Sequence, residues 1–171
     1  GYNSDCSGAI AALEAYTSLK NKNILILGSG GTAKAIGYGI KEKGGKLTIT
    51  YNRNKEKGEN LAKELGCELI HCRDAGTQSI DILINCSPVG MNPNINESPF
   101  LARDFKEGMV VFDSVYNPLE TKLLREAKAA GCKVIPGSEL FINQAARQFE
   151  LFTGQPAPIE AMREVLMEKL K

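Results

Sequence analysis

Asn23-Ile-Leu-Ile-Leu-Gly-Ser-Gly-Gly-Thr-Ala-Lys-Ala-Ile36 is the stretch on which the fold turns. The apolar run Ile24 to Leu27 reads as a buried strand. It passes directly into Gly28-Ser29-Gly30-Gly31-Thr32-Ala33, behind which the pattern becomes helical. Strand, tight glycine turn and helix in that order form the context of a dinucleotide-binding fingerprint, G-x-G-x-x-G/A. Gly28 permits the sharp turn, and Gly30 and Gly31 keep side chains away from a pyrophosphate. Ala33 lets the helix sit close to the sheet. The free N–H groups of the first helical turn, with Ser29 and Thr32 beside them, then face phosphate oxygens. An ordinary strand-to-helix loop also uses glycine; the flanking strand and helix are what favour the fingerprint.

Outward from this stretch, strand-like and helix-like segments alternate. That is the pattern of an α/β, doubly wound, mostly parallel Rossmann-like sheet with helices on both faces. Ser4 or Asp5 is expected to cap a helix running to about Tyr16. Thr32 to Lys43 reads as the first crossover helix, and Gly37 and Gly39 inside it cost roughly 1 kcal/mol each of helix propensity. Further strands are expected at Leu47 to Tyr51, Glu68 to His71, Ile80 to Asn85, Met109 to Asp113 and Lys133 to Ile135. Asn54 caps a helix from Lys55 to Leu65, and another spans about Thr121 to Ala130. Two helices follow, Leu140 to Phe152 and Ile159 to Leu170, separated by Gly154-Gln-Pro-Ala-Pro158, whose prolines cannot continue a helix. Asn92 to Glu97 is the longest polar loop.

A length of 171 residues suits one domain with a sheet covered on both faces. Hydrophobic residues make up 43% and charged residues 24%, the balance of a globular chain, and the net charge of +1 offers no field for nucleic acid or an anionic membrane. No apolar run approaches the length of a membrane span. The five cysteines are odd in number and scattered, and Cys67 and Cys72 have no second pair to complete a zinc site. Free thiols in a reducing, cytoplasmic setting are expected, with a plastid as the alternative for a plant parent, and no metal. The chain opens Gly-Tyr-Asn-Ser-Asp without an initiator Met, which reads as a piece of something larger.

The residues after the second strand bear on which dinucleotide is bound. In NAD sites a carboxylate there accepts from the ribose 2′-OH. Here the sequence is Thr50-Tyr-Asn-Arg-Asn54, with Lys57 one turn into the next helix. A 2′-phosphate would be held by Arg53 and Lys57, with Asn52 and Asn54 as donors, which points to NADP(H). A solvated surface pair is the plainer account of Arg53 and Lys57.

Taken in order, Gly-Tyr-Asn-Ser-Asp at 1–5, Gly-Ser-Gly-Gly-Thr-Ala at 28–33, Asn-Arg-Asn at 52–54, Asn-Cys-Ser-Pro-Val-Gly-Met at 85–91 and Asp113-Ser-Val-Tyr-Asn-Pro118, followed by Thr121, Gly137 and Gln144, resemble the C-terminal domain of the shikimate dehydrogenases. The resemblance covers essentially the whole chain. Its ending, from Glu139 to Pro158, is most similar to the form fused to 3-dehydroquinate dehydratase. The family implies reduction of 3-dehydroshikimate to shikimate with NADPH, in aromatic amino-acid biosynthesis. It also implies a two-domain enzyme, residues 1–171 being the NADP-binding domain, and an N-terminal domain absent from this chain that supplies a catalytic lysine. The isolated chain is accordingly expected to bind NADP(H) and to be inactive.

By resemblance, Asp5 is the catalytic carboxylate paired with that lysine and a substrate ligand. A ketone reduction needs such a proton-transfer pair, although Asp5 also suits a helix cap. Tyr116 and Gln144 are implied to touch substrate, where an isolated reading would leave a half-buried aromatic and a surface helix residue. Asn85, Ser87, Val89, Met91 and Ser114 are implied around the nicotinamide, with Gly137 at the same end. Ser138 stands where Leu is common and Leu140 where Met is frequent. Two other readings stay open: a quinate/shikimate dehydrogenase, and a non-catalytic NADP-binding sensor domain. Retention of Asp5, Tyr116 and Gln144 argues against a sensor.

Overall fold

The computed structural model describes residues 4–169, with side chains from Ser7 onward. Six strands form one parallel sheet: β1 (Asn23–Leu27), β2 (Lys46–Tyr51), β3 (Glu68–His71), β4 (Ile82–Asn85), β5 (Val110–Asp113) and β6 (Lys133–Ile135). Their order is β3-β2-β1-β4-β5-β6, and every pairing is parallel. The chain winds outward from β1 in one direction and from β4 in the other. The carboxyl ends of β1 and β4 therefore diverge at the topological switch point, where open α/β sheets bind ligands. The doubly wound expectation holds.

Alternation along the strands sorts the core into two layers. Ile24, Ile26, Ile49, Ile82, Ile84 and Phe112 face a layer built from α1 (Ser4–Glu14), α2 (Gly31–Glu42), α3 (Lys55–Leu65) and Leu140 of α5 (Gly137–Thr153). Leu25, Leu27, Leu83 and Val111 face the other side, covered by α4 (Lys122–Ala129) and by Ala75, Phe100 and Phe105 of the connections. That second face is thinner, because the links from β3 to β4 and from β4 to β5 carry only short 3-10 turns, Cys72–Thr77 and Ala102–Asp104. Neither turn is legible as a helix in the sequence. The last helix, α6 (Ile159–Lys169), packs on α5, and Arg163 donates to the Glu139 carboxylate from both terminal guanidinium nitrogens.

Several boundaries differ from the sequence reading. Ser4 and Asp5 are already helical rather than capping, and the segment 1–3 that precedes them lies outside the described residues. β4 begins at Ile82; Asp81 before it donates its N–H to the Asn23 carbonyl, accepts from Asn23 N–H with its carboxylate and accepts from Val110 N–H with its carbonyl. Thr121 is the cap of α4, its hydroxyl accepting from Leu124 N–H, as the residue type favours. The largest shift is in α5, which starts at Gly137 and not at Leu140. Pro136, with φ −76°, stands at the cap, and Gly137 lets the first turn lie directly on the Asp113 and Val115 carbonyls, where a Cβ would run into backbone. Gly37 is likewise a contact glycine, since a Cβ there would meet Leu65 and Leu47.

Candidate dinucleotide site

Gly28 follows β1 with φ +120°, a conformation that L side chains rarely adopt, and a Cβ there would lie 3.2 Å from the Cys86 carbonyl oxygen. Its N–H donates to Thr50 Oγ1 at 3.0 Å, so the turn is pinned to β2 as it leaves β1. Gly30 and Gly31 differ. Among the described residues, a Cβ built on either meets nothing within 4 Å, so no packing there calls for glycine at these positions. Gly30 is the cap of α2 and offers no side-chain hydrogen bond, and the first turn of α2 carries no acidic residue. The helix therefore presents uncapped N–H groups and the positive end of its dipole beside a clear space. This donor set fits the diphosphate of a dinucleotide.

At the end of β2, Asn52, Arg53, Asn54 and Lys57 are exposed. The Asn54 side-chain oxygen caps α3, accepting from Lys57 N–H at 2.8 Å, which leaves only its amide nitrogen to meet a ligand. Among the described residues, neither Arg53 nor Lys57 is ion-paired, whereas nearby Lys55 pairs with Glu59 and Lys34 with Glu64. Two cations, one just after β2 and one in the first turn of α3, neither paired with a carboxylate among the described residues, suit a phosphate group.

Across the switch point lies a cavity of about 410 Å³ lined by Thr32, Cys86, Ser87, Met91, Ser114 and Tyr116 among others. It joins the head of α2 to the loops after β4 and β5. A larger cleft of about 720 Å³ opens around Asn23, Lys46 and Glu68 at the amino ends of the strands. The smaller one is the candidate site, because ligands of such sheets bind at the carboxyl ends.

Beneath that cavity is a polar network without solvent exposure. Asn85, Asp113 and Thr121 are all fully buried. Asp113 Oδ1 accepts from Asn85 Nδ2 at 2.9 Å and from Val115 N–H at 3.0 Å, and Oδ2 accepts from the Thr121 hydroxyl at 2.6 Å. Asn85 Oδ1 in turn accepts from Ser87 N–H and the Ser87 hydroxyl, and Asn85 Nδ2 also reaches the Val89 carbonyl. Three donors converge on one carboxylate, yet burial outweighs them and pushes the Asp113 carboxyl up to about 6. Burial, with the nearby Asp113 charge, also raises the Cys86 thiol far above its ordinary range, which disfavours its thiolate.

These observations redraw part of the sequence reading. Gly28, Ser29, Gly30, Gly31 and Thr32 form one turn, and Ser87, Met91, Ser114 and Tyr116 meet in one cavity. Asn85 does not face that cavity: its side chain is consumed by Asp113, Ser87 and Val89, so it shapes the wall from behind. Val89 lines a neighbouring space of about 320 Å³ with Phe100, and Gly137 serves the contact of α5 with the exit of β5. Tyr116 is 43% exposed and rests on Phe141 of α5 with ring centroids 5.2 Å apart. Gln144 lies one turn beyond Phe141, where its main chain touches Gly8 of α1 closely enough that a Cβ on Gly8 would lie 3.0 Å from Gln144 N. Asp5 is one turn before Gly8 on α1; its side chain lies outside the described residues. Sequence reasoning named Asp113 and Thr121 only as motif residues, with no role at the site, and passed over Phe141. A carboxylate ending the apolar strand Val110–Asp113, with a threonine eight residues on, was the available signal.

Among the described residues, no helix is long and apolar enough to cross a membrane, and no cluster of three His, Cys, Asp or Glu could hold a metal ion. The family model for Shikimate / quinate 5-dehydrogenase matches residues 10–113, and that for the Shikimate 5'-dehydrogenase C-terminal domain matches residues 137–167. The chain is 38% identical to the shikimate dehydrogenase (NADP(+)) of Methanosphaera stadtmanae, covering 100% of this chain and 64% of that protein. It is also 38% identical to the chloroplastic bifunctional 3-dehydroquinate dehydratase/shikimate dehydrogenase of Arabidopsis thaliana, covering 97% of this chain and 30% of that one. The solved shikimate 5-dehydrogenase of Thermus thermophilus, in complex with NADP(H) and shikimate, superposes with a TM-score of 0.87 at 33% identity, over 98% of this chain and 63% of its own. This chain thus spans less than two thirds of the length of these relatives, and it belongs to the shikimate / quinate 5-dehydrogenase family.

Proposed function

We propose that this chain is the NADP(H)-binding domain, residues 1–171, of a shikimate dehydrogenase. The carrying observation is the combination at the head of α2: a glycine turn forced by φ, two further glycines that no packing among the described residues requires, and helix N–H groups without a side-chain cap. Gly28, Ser29, Gly30, Gly31 and Thr32 would cradle the diphosphate. Arg53 and Lys57, helped by Asn52 and the amide nitrogen of Asn54, would hold the 2′-phosphate, and the lack of a carboxylate there favours NADP over NAD. Ser87, Met91 and Ser114 would border the nicotinamide, which supplies the hydride when the coenzyme is bound.

The chain's own residues would then position the substrate ketone and manage its proton. Tyr116, its ring tilted against Phe141, and Gln144 would offer hydrogen bonds at the α5 side of the cavity. Asp5, on the adjoining α1, would orient a lysine from a separate substrate domain, so that a proton reaches the ketone oxygen as carbon is reduced. Shikimate and 3-dehydroshikimate are the proposed substrate pair, within aromatic amino-acid biosynthesis. Fusion to a 3-dehydroquinate dehydratase is supported by the likeness to the Arabidopsis protein. The free, scattered thiols suit a reducing compartment, the cytoplasm or a plastid.

Calorimetric titration of the chain with NADP(+) tests the coenzyme half of this reading. For the chemistry, residues 1–171 can replace the matching segment of the Methanosphaera stadtmanae enzyme. The chimera is expected to oxidise shikimate with NADP(+), and the chain alone to show no turnover. Turnover by the chain alone, or an inactive but folded chimera that binds NADP(+), would contradict the proposal.

A further inference from the structure

The loops after β4 and β5 lie 28 residues apart in sequence at their anchoring side chains, yet together they wall the candidate cavity. Asp113 is what joins them. One carboxylate oxygen holds Asn85, which fixes Ser87 and Val89 in the first loop, and the same oxygen holds Val115 N–H in the second. The other oxygen holds Thr121 at the cap of α4, which closes the second loop from its far end. The Val115 carbonyl abuts Gly137, so the first turn of α5 is seated on the same unit. A main-chain bond from Asn92 N–H to the Asn117 carbonyl, 3.1 Å, links the loop tips. None of these three side chains has exposed surface, so none would touch a ligand.

We propose that Asp113 and Thr121 are positioning residues for the nicotinamide half of the dinucleotide, acting as an internal clasp that sets the distance between the two cavity walls. The inference rests on the dinucleotide reading of the cavity. The adenosine half does not depend on the clasp, because its contacts hang from β1, α2 and β2, and the Gly28 turn is pinned separately to Thr50. Loss of the clasp should therefore divide the ligand: weaker binding of groups lodged between the walls, and unchanged binding of the phosphorylated adenosine.

The test compares NADPH with adenosine 2′,5′-bisphosphate, which lacks the nicotinamide, on the 171-residue chain and on Asp113→Asn, Thr121→Val and Thr121→Ser. Binding is measured by calorimetry, and the nicotinamide environment by NADPH emission. Asp113→Asn and Thr121→Val are expected to weaken NADPH at least tenfold and to abolish its emission change. Adenosine 2′,5′-bisphosphate should keep its Kd within twofold, and Thr121→Ser should restore NADPH binding. If Asp113→Asn does not fold, Thr121→Val decides. Equal losses for both ligands, unaltered NADPH binding, or unfolding of both variants would overturn the clasp. Failure of the parent chain to bind NADPH would instead overturn the dinucleotide reading and the clasp with it.

Discussion

Between β1 and β2 the site is made of main chain and exposed cations; between β4 and β5 it rests on side chains that never meet solvent. The first half needs little from the rest of the molecule. A glycine at φ +120°, two glycines facing open space and a helix without a side-chain cap would form the proposed receptor within a few residues, and Arg53 and Lys57 are exposed after β2. The second half is a collective product. Ser87, Met91, Ser114 and Tyr116 reach one cavity only because Asn85, Asp113 and Thr121 fix their loops from below. Such buried polar networks are sensitive to partial loss, since removing one partner leaves the others unsatisfied in a low-dielectric interior.

On the β1 side the most damaging single change is Gly28→Val. Backbone strain at φ +120° and the contact with the Cys86 carbonyl should together cost about 3 kcal/mol or more. Dinucleotide binding should vanish, as read by thermal melting and titration. A variant that binds normally would show that the turn is not the receptor.

On the β4–β5 side, pH is the sharper probe. The folded Asp113 carboxyl titrates at about 6, above its ordinary 3.8, because burial disfavours its charge. Its contribution to stability is therefore fully present below 3.8 and is lost as pH rises through 6, a swing of about 3 kcal/mol. Relative to Asp113→Asn, the parent chain should gain resistance to urea between pH 7 and pH 4.5. Identical pH profiles would contradict the assignment of a raised carboxyl to this position.

A smaller effect is expected where α5 meets the exit of β5. The Ser138 hydroxyl is buried and has no hydrogen-bond partner among the described residues. Ser138→Ala should raise stability by about 1 kcal/mol. That corresponds to a few degrees in Tm for a chain of this size. A lower Tm would mean that the hydroxyl does have a partner.

How much could be read in advance follows the same division. The strand–Gly28 turn–α2 unit was legible because its physics is local: hydrophobic run, glycine, helix. The parallel sheet followed from alternation. Asn85 was misread as a cavity contact because its true partner, Asp113, is 28 residues away and nothing in either residue type announces burial. Gly137 was placed at the nicotinamide end by resemblance alone, and its need for close approach was not legible because it is set by carbonyls at another strand's exit. The nearness of Gln144 to α1 likewise depends on a crossing between two helices far apart in sequence, made close by Gly8. Ser138 drew notice only as a departure from Leu, whereas its buried, unpaired hydroxyl is a property of the packed chain.

The central claim is that the turn at Gly28 receives a diphosphate while Arg53 meets the phosphate on the adenosine. Its most direct test is the affinity of the chain for NADP(+) against NAD(+), with and without Arg53→Ala. Charge-assisted hydrogen bonds from the guanidinium should give the parent chain a preference for NADP(+) of roughly ten- to a hundredfold, which the substitution should largely erase while NAD(+) binding stays the same. Equal affinities in the parent chain, or a preference that survives Arg53→Ala, would contradict it.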